Sequence, residues 1–391
     1  MREAFAIQSR KHCSAHKKSM INFLFHLITA YIIPGMLLGF ALCFFFQTVP
    51  FREKLKEYTL ARRIMGCNYI VYCAALIAQV TTKQQVSHPM LDKFIILSIG
   101  STQAFFFTCS LTTLVCPRGL NIGKICREII TIVVVAAIAI ASSAYCRPEM
   151  QTMVFYGFSV FYVLLIVRYV LIFRKNYTAY KQNADNFFSD NERQRLQWTA
   201  TSFYSATALG VLALVYAWYA LPVVSFLFMA TANVYYAVFG IHFLNYVHAF
   251  PAIEPVINEP QTITAEEEES NYEAEPSDSD KHLMETIDNM MENEKLYTSP
   301  SLSIENLSVL TGKSHRVVSG TINRCRHMNF KTNINNYRVD EAARLIESGW
   351  LDQHTMEALA KEAGFGNRTN LYRVFKRYTG VSPSDKYFRD K

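Results

Sequence analysis

The chain has 391 residues, room for two or three domains at roughly 100–200 residues each. Hydrophobic residues make up 51% and charged ones 18%, and the 28 Phe and 22 Tyr exclude a broadly disordered protein. The formal charge of +7 hides three segments. Residues 1–253 hold 22 Lys and Arg against 9 acids, residues 254–280 hold ten acids and no base, and residues 281–391 hold 17 bases against 13 acids.

A basic tail, residues 1–21, leads into seven apolar runs at about 22–47, 64–82, 94–116, 129–145, 152–173, 200–219 and 222–246. Crossing a hydrocarbon core of ~30 Å takes about 20 mostly apolar residues, which these runs supply. None contains Asp or Glu, and the only base inside one is Arg168, placed near enough to the end of the fifth run to snorkel. The runs are apolar on all sides rather than striped, so residues 22–250 are predicted to be a seven-helix transmembrane bundle and not a soluble core. The first run is too long for a secretory signal and is followed by further spans. Pro34 predicts a kink in the first helix.

Lys and Arg set the expected orientation. Loops 50–63, 117–128 and 168–197 hold 14 bases, and the alternate loops 81–93, 146–151 and 220–221 hold three. The positive-inside rule then puts the first group and the C-terminus in the cytoplasm, the N-terminus outside. The basic tail opposes this arrangement and is outvoted by the loops. The outer loops are too short for a sensory domain.

The runs lack the acids needed for aspartyl proteolysis or a carboxylate proton relay. No His-Glu-x-x-His motif occurs, and no Lys lies between Lys181 and Lys281 to form a Schiff base. The nine cysteines show neither a Cys-x-x-Cys pair nor zinc spacing. The sequence therefore predicts no enzyme, no catalytic residue, no metal and no cofactor. Polar residues do occur in the runs: His26, Asn68, Gln103, Asn233, His242 and Asn245, with Tyr235 and Tyr236 beside the last three. They read either as interhelical packing groups or as the lining of a ligand pocket, the packing role being the commoner one.

Residues 251–280, with Glu266 to Glu269 and Ser277-Asp278-Ser279-Asp280, read as an acidic, disordered linker. It is either a passive tether or a competitor for a basic DNA-binding face.

Residues 281–391 read as one small all-α domain. Ile304, Leu307, Ser308, Gly312, Val318 and Ile322 set out a pattern that Met356, Leu359, Ala360, Gly364, Leu371 and Phe375 repeat. In each copy a small residue precedes a glycine by four positions. The glycine permits the sharp turn, and the small residue lets the second helix pack close, which is the helix-turn-helix arrangement. Ser314 and Asn367 are predicted to cap the second helix of each unit. The inner faces are Val318, Ile322 and Cys325, then Leu371, Phe375 and Tyr378. The outer faces carry Arg316, Ser319, Asn323 and Arg324, then Arg368, Asn370, Arg373 and Lys376. Arg can grip guanine edges or phosphates and Asn can pair with adenine, so both faces suit a major groove of double-stranded DNA. An amphipathic helix over about 333–348 joins the units, so one chain can read two successive grooves.

Leu359-Ala360-Lys361-Glu362-Ala363-Gly364-Phe365, Arg373-Val374-Phe375-Lys376-Arg377 and Gly380-Val381-Ser382-Pro383 resemble the signature of AraC/XylS-type transcription regulators. Asn335-Asn336-Tyr337-Arg338-Val339 and Glu341-Ala342 are similar to that family's linking helix. The resemblance covers about 281–391. It implies a seven-helix DNA-binding domain that often contacts RNA polymerase, with Arg316, Ser319, Arg368, Thr369, Asn370 and Arg373 at the DNA-contacting positions. Gly320 stands where many members carry Arg, which implies a weaker reading by the first unit. Such relatives often carry a sugar-binding domain in front, whereas here the membrane bundle takes that place.

The sequence thus predicts a membrane-anchored regulator with one-component signalling, its partners being DNA, the lipid bilayer and RNA polymerase. Loop 168–197, containing Phe187 and Phe188, is the expected coupling element. A homodimer and the inducing ligand are left open. The competing readings are a passive anchor released by proteolysis in the linker, and a receptor or transporter whose soluble domain binds a protein.

Overall fold

A computed structural model describes residues 27–48, 55–85, 89–116, 122–189, 193–219, 222–248, 250 and 275–389. Among them the secondary structure is helical, with no named strand and one isolated antiparallel bridge, Phe188 to Ser303. The chain divides into two compact units, Met1–Tyr177 with Trp198–Ile257, and Thr178–Gln197 with Asn258–Lys391.

The first unit contains α1 (Ile33–Phe46), α2 (Lys56–Gln85), α3 (Pro89–Val115), α4 (Ile122–Tyr145), α5 (Pro148–Phe187), α6 (Arg193–Tyr219) and α7 (Pro222–Asn245). The last residues of α5, from Thr178, and the first of α6 belong to the second unit. Among the described residues seven helices are long and apolar enough to cross a membrane, and they follow the seven runs one for one. At Pro34, where the sequence predicts a kink, a π turn, Ile28–Ile32, runs directly into α1, and Pro34 is the second residue of α1.

Inter-helix bonds tie this unit together. The Tyr58 hydroxyl donates to the Phe243 carbonyl at 3.0 Å, Tyr69 to the Tyr236 carbonyl at 2.6 Å, Ser110 to Ala61 at 2.8 Å and Tyr162 to Gly210 at 3.0 Å. Phe44, Tyr69, Tyr236, Phe107 and Phe239 form a chain of edge-on and tilted rings between α1, α2, α3 and α7. The Arg168 guanidinium pairs with Glu128 on α4, which also accepts the Tyr169 hydroxyl at 3.3 Å. The polar residues divide by role. Asn233 donates to its own helix at Met229 O (2.6 Å), Asn68 donates to Met65 Sδ (3.5 Å), and Gln103 accepts from Tyr236. His242 and Asn245 are exposed, and His26 lies outside the described residues.

The second unit contains α8 (Asp278–Glu294), α9 (Ile304–Thr311), α10 (His315–Arg326), α11 (Phe330–Glu347), α12 (Met356–Glu362), α13 (Arg368–Thr379) and α14 (Pro383–Arg389). These are the seven helices expected of the domain. All seven open on a Ser, Thr or Asn cap: Ser277, Ser303, Ser314, Asn329, Thr355, Asn367 and Ser382 each accept the backbone N–H of the third residue of the helix. The stretch Ser277–Asp280, read as the end of the linker, is instead the capping box of α8, each side chain bonding the other's backbone. Residues 251–274 and the tail 1–21 lie outside the described residues.

The core forms where the repeated pattern placed it. Leu359, Ala360, Phe365, Leu371 and Phe375 are fully buried with Ala342 of α11, and Leu307, Val318, Ile322, Phe330 and Ile334 are fully buried in the other half. Helix α11 packs against α10, α12, α13 and α14, so it joins the two helix-turn-helix halves.

Candidate nucleic-acid interface

Both turns depend on glycine, in different ways. Gly312 has φ +65° in open space, whereas at Gly364 (φ +83°) a Cβ would stand 2.3 Å from the Tyr297 carbonyl oxygen. The second turn is therefore pressed against the 3₁₀ turn Leu296–Thr298, and the first is not.

Helix α13 offers the cleaner surface. Arg368, Thr369, Arg373 and Lys376 are all exposed along it. The Arg368 guanidinium lies 5.0 Å from the centre of the Tyr372 ring and donates to the Tyr372 hydroxyl at 3.3 Å, which holds it extended on the helix surface. Arg373 donates to Asn370 Oδ1 at 2.6 Å. Asn370 itself is buried, so it orients Arg373 rather than presenting its amide outward.

Helix α10 offers less. Arg316 is exposed and Ser319 half-buried, but Asn323 is buried and does not belong to the outer face. The single-stripe reading failed because α10 is covered by α8 as well as by α9 and α11, and Asn323 falls inside the wider covered arc. Arg324 is engaged too. Its Nε and Nη2 donate to both oxygens of Asp280 at 3.0 and 2.5 Å, and a Cβ at Gly320 would come within 2.9 Å of its Nη1. Glycine at 320 thus lets this guanidinium fold back along α10 toward α8. Arg326 pairs with Asp288 at 2.6 Å. The basic surface of the first half is partly neutralised by α8, and that of the second half is not. Tyr378, expected inside, is exposed and bonds the Thr332 carbonyl at 3.3 Å.

One residue carries more than its sequence position announced. Arg338 of α11 is fully buried, and its guanidinium donates to Tyr297 O (2.7 Å), Ser299 O (2.8 Å), Ser189 O (3.3 Å) and Ser189 Oγ (3.0 Å). Ser189 in turn bonds Leu302, both through its backbone N–H (3.2 Å) and its hydroxyl. Phe188 bridges to Ser303, the cap of α9, and the Phe187 ring meets His315, the first residue of α10, edge-on at 5.7 Å. Residues 187–189 therefore form a strap over the entrance of the first helix-turn-helix. The signal for Arg338 was available, because it occupies a core position of the stripe Ile334, Ala342 and Leu345.

Residues 307–388 match the family model described as a helix-turn-helix domain. Comparison with curated proteins gave no match, and comparison with solved structures gave none. With its repeated capped units, its linking helix and this match, the C-terminal segment is an AraC-type helix-turn-helix domain, the DNA-binding part of a transcription regulator.

Proposed function

We propose that this chain is a sequence-specific transcription regulator held in a bacterial inner membrane by α1–α7. Its second unit faces the cytoplasm and reads double-stranded DNA through α10 and α13. The observation that carries the reading is the exposed row Arg368, Thr369, Arg373 and Lys376 on a capped recognition helix, with Arg316 and Ser319 in the equivalent place on α10. The resemblance makes RNA polymerase the downstream partner, and a homodimer is compatible with the same scheme.

The bilayer is supported by the outward faces of the helices, where Val133, Leu164, Leu171 and Val234 are each about three-fifths exposed. Such apolar patches in water would drive aggregation. Cytoplasmic placement rests on the distribution of Lys and Arg among the loops. Signalling runs without phosphoryl transfer, through α5, which starts in the first unit and ends in the strap. Cleavage in 251–274 would leave the strap's bonds to Arg338, Leu302 and Ser303 in place, which favours conformational control over proteolytic release.

The test uses the full chain in lipid nanodiscs with a duplex selected from a random library. Arg368→Ala is expected to lower affinity for the selected duplex by tenfold or more, on the ~1–3 kcal/mol of one bidentate base contact. Arg316→Ala lowers it less. Lys376→Ala weakens selected and random duplexes alike and reduces the salt slope by about one. Equal affinity for selected and random duplexes at every salt concentration would overturn the reading.

A further inference from the structure

The first unit encloses a cavity of about 100 Å³ between α2, α3, α5, α6 and α7. Its walls are mainly apolar and aromatic, including Phe107, Ile166, Phe203 and Tyr235, and no Asp, Glu, Lys, Arg or His lines it. An engineered apolar cavity of about 150 Å³ takes up benzene, with its six carbon atoms, so this smaller one is of a size for a molecule of about four non-hydrogen atoms.

The cavity is not uniformly apolar, because Gln103 lines it and is nine-tenths buried. The Gln103 Oε1 accepts from the Tyr236 hydroxyl, which fixes the amide so that Nε2 is the remaining donor. That Nε2 is buried and has no hydrogen-bond partner. Four further wall hydroxyls spend their protons within the protein: Thr108 on Ala104 O (2.6 Å), Thr207 on Phe203 O (2.9 Å), Tyr235 on Ser202 O (2.8 Å) and Tyr169 on Glu128 (3.3 Å). A buried amide N–H without an acceptor is costly, and native structures rarely retain one without a reason.

We infer that this cavity is a binding site for a small, uncharged, mostly apolar molecule carrying one carbonyl or hydroxyl oxygen, which accepts the hydrogen bond from Gln103 Nε2. The apolar walls supply burial, the Gln103 donor fixes orientation, and the lack of any charged wall residue excludes carboxylates and amines. The inference stands apart from the DNA reading and can be tested without DNA.

Three probes of four non-hydrogen atoms separate the contributions: acetone carries the acceptor, isobutene lacks it, and acetate is charged. Each is titrated into the full chain in lipid nanodiscs, and dissociation constants are taken from the rise in melting temperature. In the wild type, acetone should bind about fivefold more tightly than isobutene, the worth of one hydrogen bond, and acetate should give no saturable shift. In Gln103→Met, which keeps the side-chain length, that preference should disappear while isobutene still binds. Ala206→Phe, which fills the cavity, should abolish both, and it decides the matter alone if Gln103→Met does not fold. No saturable shift in the wild type, or the same acetone-to-isobutene ratio in wild type and either variant, would mean that the probes only partition into lipid and would overturn the inference.

Discussion

At Asp280 four donors converge on one carboxylate: the Ser277 N–H and hydroxyl (3.0 and 2.7 Å), the Thr321 hydroxyl (2.7 Å) and the Arg324 guanidinium. With Arg324 the leading cause, the Asp280 carboxyl is held well below the usual carboxylate range. Glu341 is lowered to about 2, first by Arg344 and then by Lys295. Both carboxylates have a folded pKa below the unfolded one, so their stabilisation is fully present above the unfolded value near 4 and is lost as pH falls through the folded value. Urea unfolding of the second unit should therefore be constant from pH 7 to about 5 and weaken steadily toward pH 2. Asp280→Asn should cost about 2 kcal/mol at pH 7 and flatten part of that acid slope. A variant as stable as wild type at pH 7, with an unchanged slope, would show that the cluster contributes nothing. At this scale the sequence was a partial guide. It marked Arg324 as a DNA-facing cation because charge alone does not reveal a partner 44 residues away. It likewise put Asn323 outside, since a one-stripe helix has room there and a helix covered on three sides does not.

The elements were the most legible level, for local reasons. Seven caps of Ser, Thr or Asn precede the helices they start, and the apolar runs match the seven long helices because both depend on residues close in sequence. Contacts made across long sequence separations were not legible. Gly312 and Gly364 occupy the same place in the repeated pattern, yet only Gly364 is pressed against a distant backbone, that of Tyr297 and Thr298. The two substitutions are accordingly expected to differ. Gly312→Ala should cost about 1 kcal/mol, the strain of a side chain at positive φ. Gly364→Ala adds a clash with backbone that no rotamer relieves, and it should cost more than about 3 kcal/mol or prevent folding. Urea midpoints of the two variants decide it, and equal costs would mean that the 3₁₀ turn yields easily.

At the scale of the whole molecule, α5 is one continuous helix whose first part belongs to the membrane-type unit and whose end belongs to the DNA-binding one. The sequence singled out its C-terminal loop for size and aromatic content, but not its target, which is set by Arg338 in a helix some 150 positions on. Because the strap ends on the cap of α9 and the first residue of α10, a shift of α5 would act directly on the first helix-turn-helix, and on the second only through Arg338, which holds Tyr297 and lies 6.0 Å from the Phe365 ring. The double variant Phe187→Ala/Ser189→Ala removes the ring contact and the hydroxyl between Leu302 and Arg338 without touching a DNA-facing residue. Hydrogen exchange in α9 and the first turn of α10 should then quicken by roughly tenfold, the effect of losing about 1–1.5 kcal/mol of local stability, with a smaller change in α12 and α13. Affinity for the half-site read by α10 should fall about three- to tenfold, and that for the half-site read by α13 should fall less. Faster exchange spread evenly over both halves would mark the strap as part of the general core. No change in either half would mean that the helix from the first unit ends there without controlling anything, and the signal would have to travel by another route.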